Sequence, residues 1–163
     1  MFSTSENEFE RGNAGASTTE LKMAGNLKIN SLVMLRDGTH PCKITQFATA
    51  KTGKHGAAKA MVTGRDIFTG KTYEETFVAG DMVPCPVVTK HEVQCLGVDT
   101  TDRTMQLLQE SGELKEDLRL PEEGNISRRV WDIVEAACKE CLVTYQVWGD
   151  KEQIIAVREG AEM

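Results

Sequence analysis

The chain has 163 residues, a formal net charge of −6, 40% hydrophobic residues and 6% aromatic residues. This length suits one domain or two small ones, and the hydrophobic share is sufficient for a folded core. No stretch approaches the roughly 20 apolar residues that span a membrane. Residues 1–20 lack the basic and apolar segments of a secretory signal, and an odd number of cysteines, five, favours reduced thiols. We therefore expect a cytoplasmic protein without a membrane span.

The first half of the chain predicts a tail followed by a small barrel. Residues 1–20 are rich in small polar residues and Glu, so they cannot offset the entropy of ordering and are expected to be flexible. Residues 21–88 show short apolar runs separated by turn residues, and Pro84 and Pro86 make the last run suitable for an edge or a domain crossing. Five short strands without a helix predict an SH3-like barrel over residues 21–88. These strands are expected at residues 31–35, 42–50, 59–66, 72–78 and 82–88.

The second half, residues 89–163, has a different order of elements. Three strands are predicted at residues 93–98, 104–108 and 114–118, and two more at 142–148 and 153–157. Between them, an apolar face recurs at helical spacing from Ile126 to Ala137, with Asn125 as the candidate N-cap. Three strands, a helix and two strands match an OB-fold, a fold that often binds single-stranded nucleic acid. Its aromatic residues Trp131, Tyr145 and Trp148 could either stack on bases or lie in the core. The predicted fold class is thus mainly β, an SH3-like barrel followed by an OB-fold with one helix.

The charges are distributed unevenly between these halves. Residues 21–88 carry nine Lys or Arg against five Asp or Glu, whereas residues 89–163 carry nine against sixteen. No acidic residue occurs from Gly38 to Arg65. Such a basic stretch within an acidic protein is either a contact for a polyanion or a solvated basic face.

The most informative segment lies between the second and third predicted strands, which places Lys54 near the tip of a hairpin. Gly53 and Gly56 allow backbone conformations that are closed to other residues, and the alanines that follow keep the loop slim. Such a loop can project a long cation away from the protein. The full segment is Lys51, Thr52, Gly53, Lys54, His55, Gly56, Ala57, Ala58 and Lys59.

Three other interpretations of this segment are conceivable. A phosphate-binding P-loop requires a glycine where Ala48 stands and a Ser or Thr where His55 stands, so it is rejected. A catalytic lysine requires a desolvated pocket, which a hairpin tip does not offer. A plain surface hairpin, like the turn at Thr69-Gly70-Lys71, remains open on composition alone.

The segment from Lys51 to Lys59 closely resembles the hypusine loop of the eukaryotic translation initiation factor 5A family, relatives of bacterial elongation factor P. The resemblance continues through residues 66–71, 111–113 and 116–121 and covers the chain from about Ala14. It implies an SH3-like domain followed by an OB domain, in agreement with the predicted elements.

The resemblance also implies a function without enzymatic activity. Lys54 would become hypusine when deoxyhypusine synthase transfers an aminobutyl group from spermidine and deoxyhypusine hydroxylase adds a hydroxyl; no other cofactor and no metal is implied. The factor would bind the ribosomal E site, contact rRNA and peptidyl-tRNA, and relieve stalls such as those at polyproline. The residues expected to contact RNA are Lys51, Lys54, His55, Lys59 and Arg65.

Ala57 departs from the family pattern, which has a second histidine at this position, and the departure puts the hydroxylation step in doubt. The alternative function is an OB-fold RNA-binding adaptor without a role for hypusine, and an enzyme that uses Lys54 is a weaker third possibility. Cys138-Lys139-Glu140-Cys141 is a lone CxxC without a second ligand pair, so we interpret it as structural.

Overall fold

A computed structural model describes residues 18–51 and 56–163 of the chain. Residues 1–17 and 52–55 lie outside the described residues; they include most of the predicted tail. The chain divides into two compact units, with the boundary between Val87 and Val88. Antiparallel strands dominate both units, and the described residues contain one α-helix. The predicted mainly-β fold class is therefore confirmed.

The first unit consists of a curled four-stranded sheet and a two-stranded ribbon. The sheet has the order β2-β3-β4-β5 and the ribbon pairs β1 with β6. The inward side chains form a core that includes Val33, Leu35, Ile44 and Val62. The strands are β1 (Thr19–Met23), β2 (Leu32–Leu35), β3 (His40–Lys51), β4 (Ala58–Asp66), β5 (Thr72–Val78) and β6 (Met82–Pro86).

Strand β1 was not predicted, and it overlaps the end of the predicted tail. Thr19 and Glu20 pair with residues of β6. The side chains of Leu21 and Met23 remain 64% and 43% exposed, so pairing of the backbone rather than burial holds the strand. A strand without a buried face leaves no alternating pattern in the sequence, which explains why it was missed. The two prolines of β6 lie in this two-stranded ribbon, as expected for an edge.

The β3–β4 pairing contains one β-bulge, at Thr45. Ile44 pairs with Gly64, whereas Gln46 pairs with Thr63, so one extra residue lies in β3. The hydroxyl of Thr45 donates to the carbonyl of Thr63 at 3.2 Å. Because side chains alternate with a period of two, the extra residue reverses which residues of β3 face inward beyond this point.

The second unit is a curled five-stranded sheet with one helix, and the predicted OB-fold is confirmed. The sheet order is β11-β10-β7-β8-β9. Its two edge strands approach each other where the Lys115 Nζ of β9 lies 2.9 Å from a carboxylate oxygen of Glu152 in β11. The elements are β7 (Thr89–Val98), β8 (Met105–Leu108), β9 (Leu114–Lys115), α1 (Asn125–Ala136), β10 (Lys139–Trp148) and β11 (Lys151–Glu162).

Details of the second unit differ from the sequence-based expectation. The N-cap of α1 is Gly124, not Asn125, and its φ of 117° is a conformation that glycine adopts readily. Strand β9 ends at Lys115, although the carbonyl of Leu118 still accepts a hydrogen bond from the Met105 N–H of β8 at 2.9 Å. Of the aromatic residues considered for base stacking, Tyr145 is only 5% exposed and belongs to the core.

Candidate functional site

The candidate site lies on the β3–β4 hairpin. The pairing of these strands ends at Lys51 and Ala58, and residues 52–57 connect them. Thr52, Gly53, Lys54 and His55 lie outside the described residues, so the assignment of Lys54 as the modified residue stays a prediction. Of the remaining loop residues, Lys51, Ala57 and Ala58 are exposed, and Gly56 and Lys59 are half-buried.

Lys51 and Lys59 lie at the loop end of the hairpin, on opposite faces of the ribbon. Lys59 pairs directly with Ala50, so these two side chains share a face. Lys51 follows Ala50 in an extended strand, so its side chain belongs to the other face. The structure thus places one cation on each side of the predicted modification loop.

Arg65 is remote from this loop. It lies six positions after Lys59 in an extended strand, which corresponds to about 20 Å at roughly 3.3 Å per residue. Its Nε donates to the Gly70 carbonyl at 2.9 Å, so the next turn holds the guanidinium at the base of the hairpin. Of the RNA-contacting set predicted from the sequence, Lys54 and His55 lie outside the described residues. The other three divide into a pair near the loop, Lys51 and Lys59, and one cation at the far end, Arg65.

Lys43 is a candidate contact that the sequence-based list omitted. It lies in β3, pairs directly with Arg65 of β4, and shares the outward face of the hairpin with Arg65 and Lys59. Without the bulge at Thr45, continuing the register from the loop would place Lys43 opposite the buried Asp66 instead. Because the sequence does not show the bulge, the pairing of Lys43 with Arg65 could not be predicted from it.

Asp66 fixes the turn at the base of the hairpin. Its buried carboxylate accepts the N–H groups of Phe68 at 2.8 Å and Thr69 at 3.0 Å, and lies 2.9 Å from the His40 ring. Burial alone would raise the pKa of Asp66, but these hydrogen bonds hold the pKa below its ordinary value. His40 also stacks on Tyr73, with ring centroids 4.6 Å apart. The Asp66 carboxylate thus has a structural role, because its hydrogen bonds hold the turn at the base of the hairpin.

Basic side chains of the two units differ in their partners. In the second unit, Arg158 makes a bidentate ion pair with Glu92 at 2.8 and 2.9 Å, and Arg129 lies 3.2 Å from Glu159. Within residues 18–51 and 56–163, no ion pair involves the hairpin cations. These cations are Lys43, Lys51, Lys59 and Arg65, and they are available for an anionic ligand.

The remaining motifs do not form a metal site in the part of the chain that is described. There, no cluster of three or more His, Cys, Asp or Glu side chains is arranged to hold a metal. Of the lone CxxC, Cys138 is exposed and Cys141 is buried. No helix among these residues has the length and apolarity needed to cross a bilayer.

Comparison with known families gives two consecutive matches. The family described as "Translation initiation factor 5A-like, N-terminal" matches residues 17–80. The family described as "Eukaryotic elongation factor 5A hypusine, DNA-binding OB fold" matches residues 87–158. The first match contains the candidate hairpin, and the second covers most of the OB-fold unit.

Individual relatives extend over nearly the whole chain. Eukaryotic translation initiation factor 5A of Drosophila melanogaster is 39% identical over 153 residues, which is 94% of this chain and 93% of the relative. Eukaryotic translation initiation factor 5A-2 of Solanum lycopersicum is 35% identical, with 97% of each chain covered. Among solved structures, a translation initiation factor 5A family protein of Naegleria fowleri is 37% identical with a TM-score of 0.73, covering 87% of this chain and 99% of its own. The chain therefore belongs to the eukaryotic translation initiation factor 5A family, a family of translation factors and not of enzymes.

Proposed function

We propose that this protein is a translation elongation and termination factor that acts through hypusine at Lys54. Deoxyhypusine synthase would transfer the aminobutyl group of spermidine to the Lys54 amine, and deoxyhypusine hydroxylase would add the hydroxyl. From the ribosomal E site, the modified side chain would reach the acceptor end of peptidyl-tRNA and promote peptide-bond formation at stalled sites such as polyproline.

The observation that carries this proposal is the position of Lys51 and Lys59 at the end of the hairpin. The two cations lie on opposite faces, directly before and shortly after the loop that contains Lys54. A cation on each face can contact phosphates on both sides of a narrow RNA cavity and hold the loop between them. Such contacts fix position without reading sequence, as required of a factor that serves many messages.

The chemistry of the modification fits this arrangement. Hypusine lengthens the lysine side chain and carries two cationic amines, which interact favourably with phosphate-lined surfaces. The outward cations Lys43 and Arg65 extend the basic surface toward the base of the hairpin. In the OB-fold unit, by contrast, ion pairs already engage Arg129 and Arg158.

The test compares Lys54→Arg with Lys71→Arg in cells that rely on this protein alone. Arginine keeps the charge but cannot accept the aminobutyl group, so Lys54→Arg should abolish growth. Lys71→Arg is the matched control, because Lys71 is exposed and follows the same Thr-Gly dipeptide that precedes Lys54 in the sequence. We expect it to grow normally.

Intact-mass spectrometry of the same proteins completes the test. Wild-type protein and Lys71→Arg should carry the aminobutyl-derived mass, and Lys54→Arg should not. Normal growth with Lys54→Arg, or an unmodified Lys54 in active protein, would contradict the proposal and favour an RNA-binding adaptor independent of hypusine.

A further inference from the structure

We propose that Cys95 and Cys141 form an oxidation site in the OB-fold unit, at which peroxide closes a disulfide between strands β7 and β10. This site is separate from the hairpin loop and does not depend on its modification. It rests on the pairing of the two strands, the burial of the two thiols and a cavity that reaches both of them.

The two cysteines are direct cross-strand neighbours. Cys141 of β10 pairs with Cys95 of β7 in an antiparallel register, and both side chains point into the same core cluster. Residues that pair directly in antiparallel strands have Cα atoms about 4.5–5.5 Å apart. Disulfides usually require roughly 4.4–6.8 Å between Cα atoms, so the pairing places these thiols within bonding reach.

The backbone is irregular on both sides of this pair. The β7–β8 register shifts between Cys95 and Gly97, and the β10–β11 register shifts between Lys139 and Cys141. Bulges bend a strand and interrupt its regular ladder. The two strands can therefore adjust locally toward disulfide geometry without shifting the register of the whole sheet.

A cavity of about 120 Å³ gives small molecules access to both thiols. Its lining includes Cys95 and Cys141 together with Leu96 and Met163, which are 48% and 69% exposed. The cavity therefore reaches the surface although the thiols themselves are only 4% and 3% exposed. Its volume exceeds the roughly 30 Å³ occupied by one water molecule in the liquid, so hydrogen peroxide can enter.

The two thiols are in contact and hydrogen-bond to each other, and burial by itself raises the pKa of both. The thiolate of one cysteine would attack one peroxide oxygen, breaking the O–O bond to give a sulfenic acid and, after protonation of the leaving hydroxide, water. The sulfur of the other cysteine would then attack the sulfenic sulfur, forming the S–S bond and breaking the S–O bond. Overall, two thiols and one peroxide give one disulfide and two waters.

Cys138 is the competing partner for Cys141 in the CxxC segment. It is exposed, and its thiol donates to the Ala136 carbonyl at 3.3 Å. Residues between Cys138 and Cys141 are extended, which separates the two Cα atoms by about 10 Å. This is beyond the usual disulfide range, so the structure favours the cross-strand pair over the motif that is visible in the sequence.

The experiment treats the purified full chain with hydrogen peroxide, blocks free thiols, and maps the disulfide in peptides by mass spectrometry. We expect a Cys95–Cys141 disulfide, a mass loss of about 2 Da from two hydrogen atoms, and recovery of both thiols with a dithiol reductant. The exposed-site variant Cys138→Ser should show the same mass loss. Cys95→Ala should not show it, and wild-type peptide mapping gives the answer even if that variant folds poorly.

The buried thiols of the first unit provide an internal control. Burial raises the pKa of Cys42 to about 12 and also raises the pKa of Cys85, so both should stay reduced. A disulfide between Cys138 and Cys141 would overturn the proposal. So would disulfides only between two copies of the chain, higher oxidation of Cys95 without a disulfide, or equally fast oxidation of Cys42.

Discussion

Removing the two cations at the end of the hairpin should weaken the salt dependence of ribosome binding. The perturbation is the double variant Lys51→Ala with Lys59→Ala. The matched control is Arg129→Ala with Arg158→Ala, whose arginines are already paired with Glu159 and Glu92. Each double variant removes two positive charges, so the net charge changes from −6 to −8 in both. A difference between them therefore reports position and not overall charge.

The magnitude follows from counterion release. Each phosphate contact contributes about −0.7 to −0.9 to the slope of log affinity against log salt. Lys51 and Lys59 lie on opposite faces of the ribbon, so we expect them to contact separate phosphates. Loss of both should make the slope shallower by about 1.4–1.8. Between 50 and 200 mM salt, the wild type should lose roughly tenfold more affinity than the hairpin variant.

The assay is equilibrium binding to purified ribosomes across that range of salt, by sedimentation or fluorescence anisotropy. The control variant should keep the wild-type slope, because its arginines are neutralised by neighbouring carboxylates. A hairpin variant with an unchanged slope would refute the reasoning, and so would a control variant whose slope falls by the same amount.

Three further outcomes are expected. A Cβ on Gly64 would lie 2.9 Å from a Leu35 methyl carbon and 3.0 Å from Cys42 Cβ. Gly64→Ala should therefore lower the unfolding free energy, measured by urea denaturation, by about 1–3 kcal/mol. Gly80→Ala is the control, because a Cβ on Gly80 would meet open space and should change the unfolding free energy little. The pKa of Asp66 lies below its ordinary 3.8, so the ionised carboxylate stabilises the fold above pH 3.8, and this stabilisation is lost as the pH falls through the depressed pKa. Asp66→Asn should remove this loss from a plot of unfolding free energy against pH. An unchanged plot would contradict the stabilising role of the Asp66 carboxylate. With purified synthase and hydroxylase, wild-type protein should accept the aminobutyl group but be hydroxylated more slowly than the Ala57→His variant. Mass spectrometry of the loop peptide follows both steps. Equal and complete hydroxylation of the two proteins would show that Ala57 does not limit the hydroxylation step.

The sequence predicts the architecture well where strands have one buried face. In β4, buried residues at Ala60, Val62 and Gly64 alternate with more exposed ones, and the predicted range 59–66 differs from the observed strand by one residue. In the OB-fold unit, Val130 and Ile133 lie buried on the helical face inferred from periodicity. Both signals arise because burial selects apolar side chains at the period of the element.

Prediction from sequence fails where the backbone pairing is not accompanied by a periodic pattern of buried apolar residues. Strand β1 exposes Leu21 and Met23, so its pairing with β6 left no periodic signal. The bulge at Thr45 is a feature of the hydrogen-bonded pairing of β3 with β4, which the sequence does not show. It pairs Lys43 with Arg65 and so makes Lys43 part of the candidate site. Cys95 and Cys141 are 46 positions apart, and only the strand register brings them together.

The bulge at Thr45 links the fold of the hairpin to its proposed use. It brings Lys43 directly opposite Arg65, and like charges at paired positions destabilise a sheet. Among the described residues, no carboxylate lies within ion-pair distance of either side chain. The Arg65 Nε instead donates a hydrogen bond to the Gly70 carbonyl. Lys43 and Lys51 are eight positions apart and would share a face in a regular strand, so the inserted residue also places them on opposite faces. We therefore expect the outward, unneutralised cations Lys43 and Arg65 to be balanced by an anionic partner such as the phosphates of RNA.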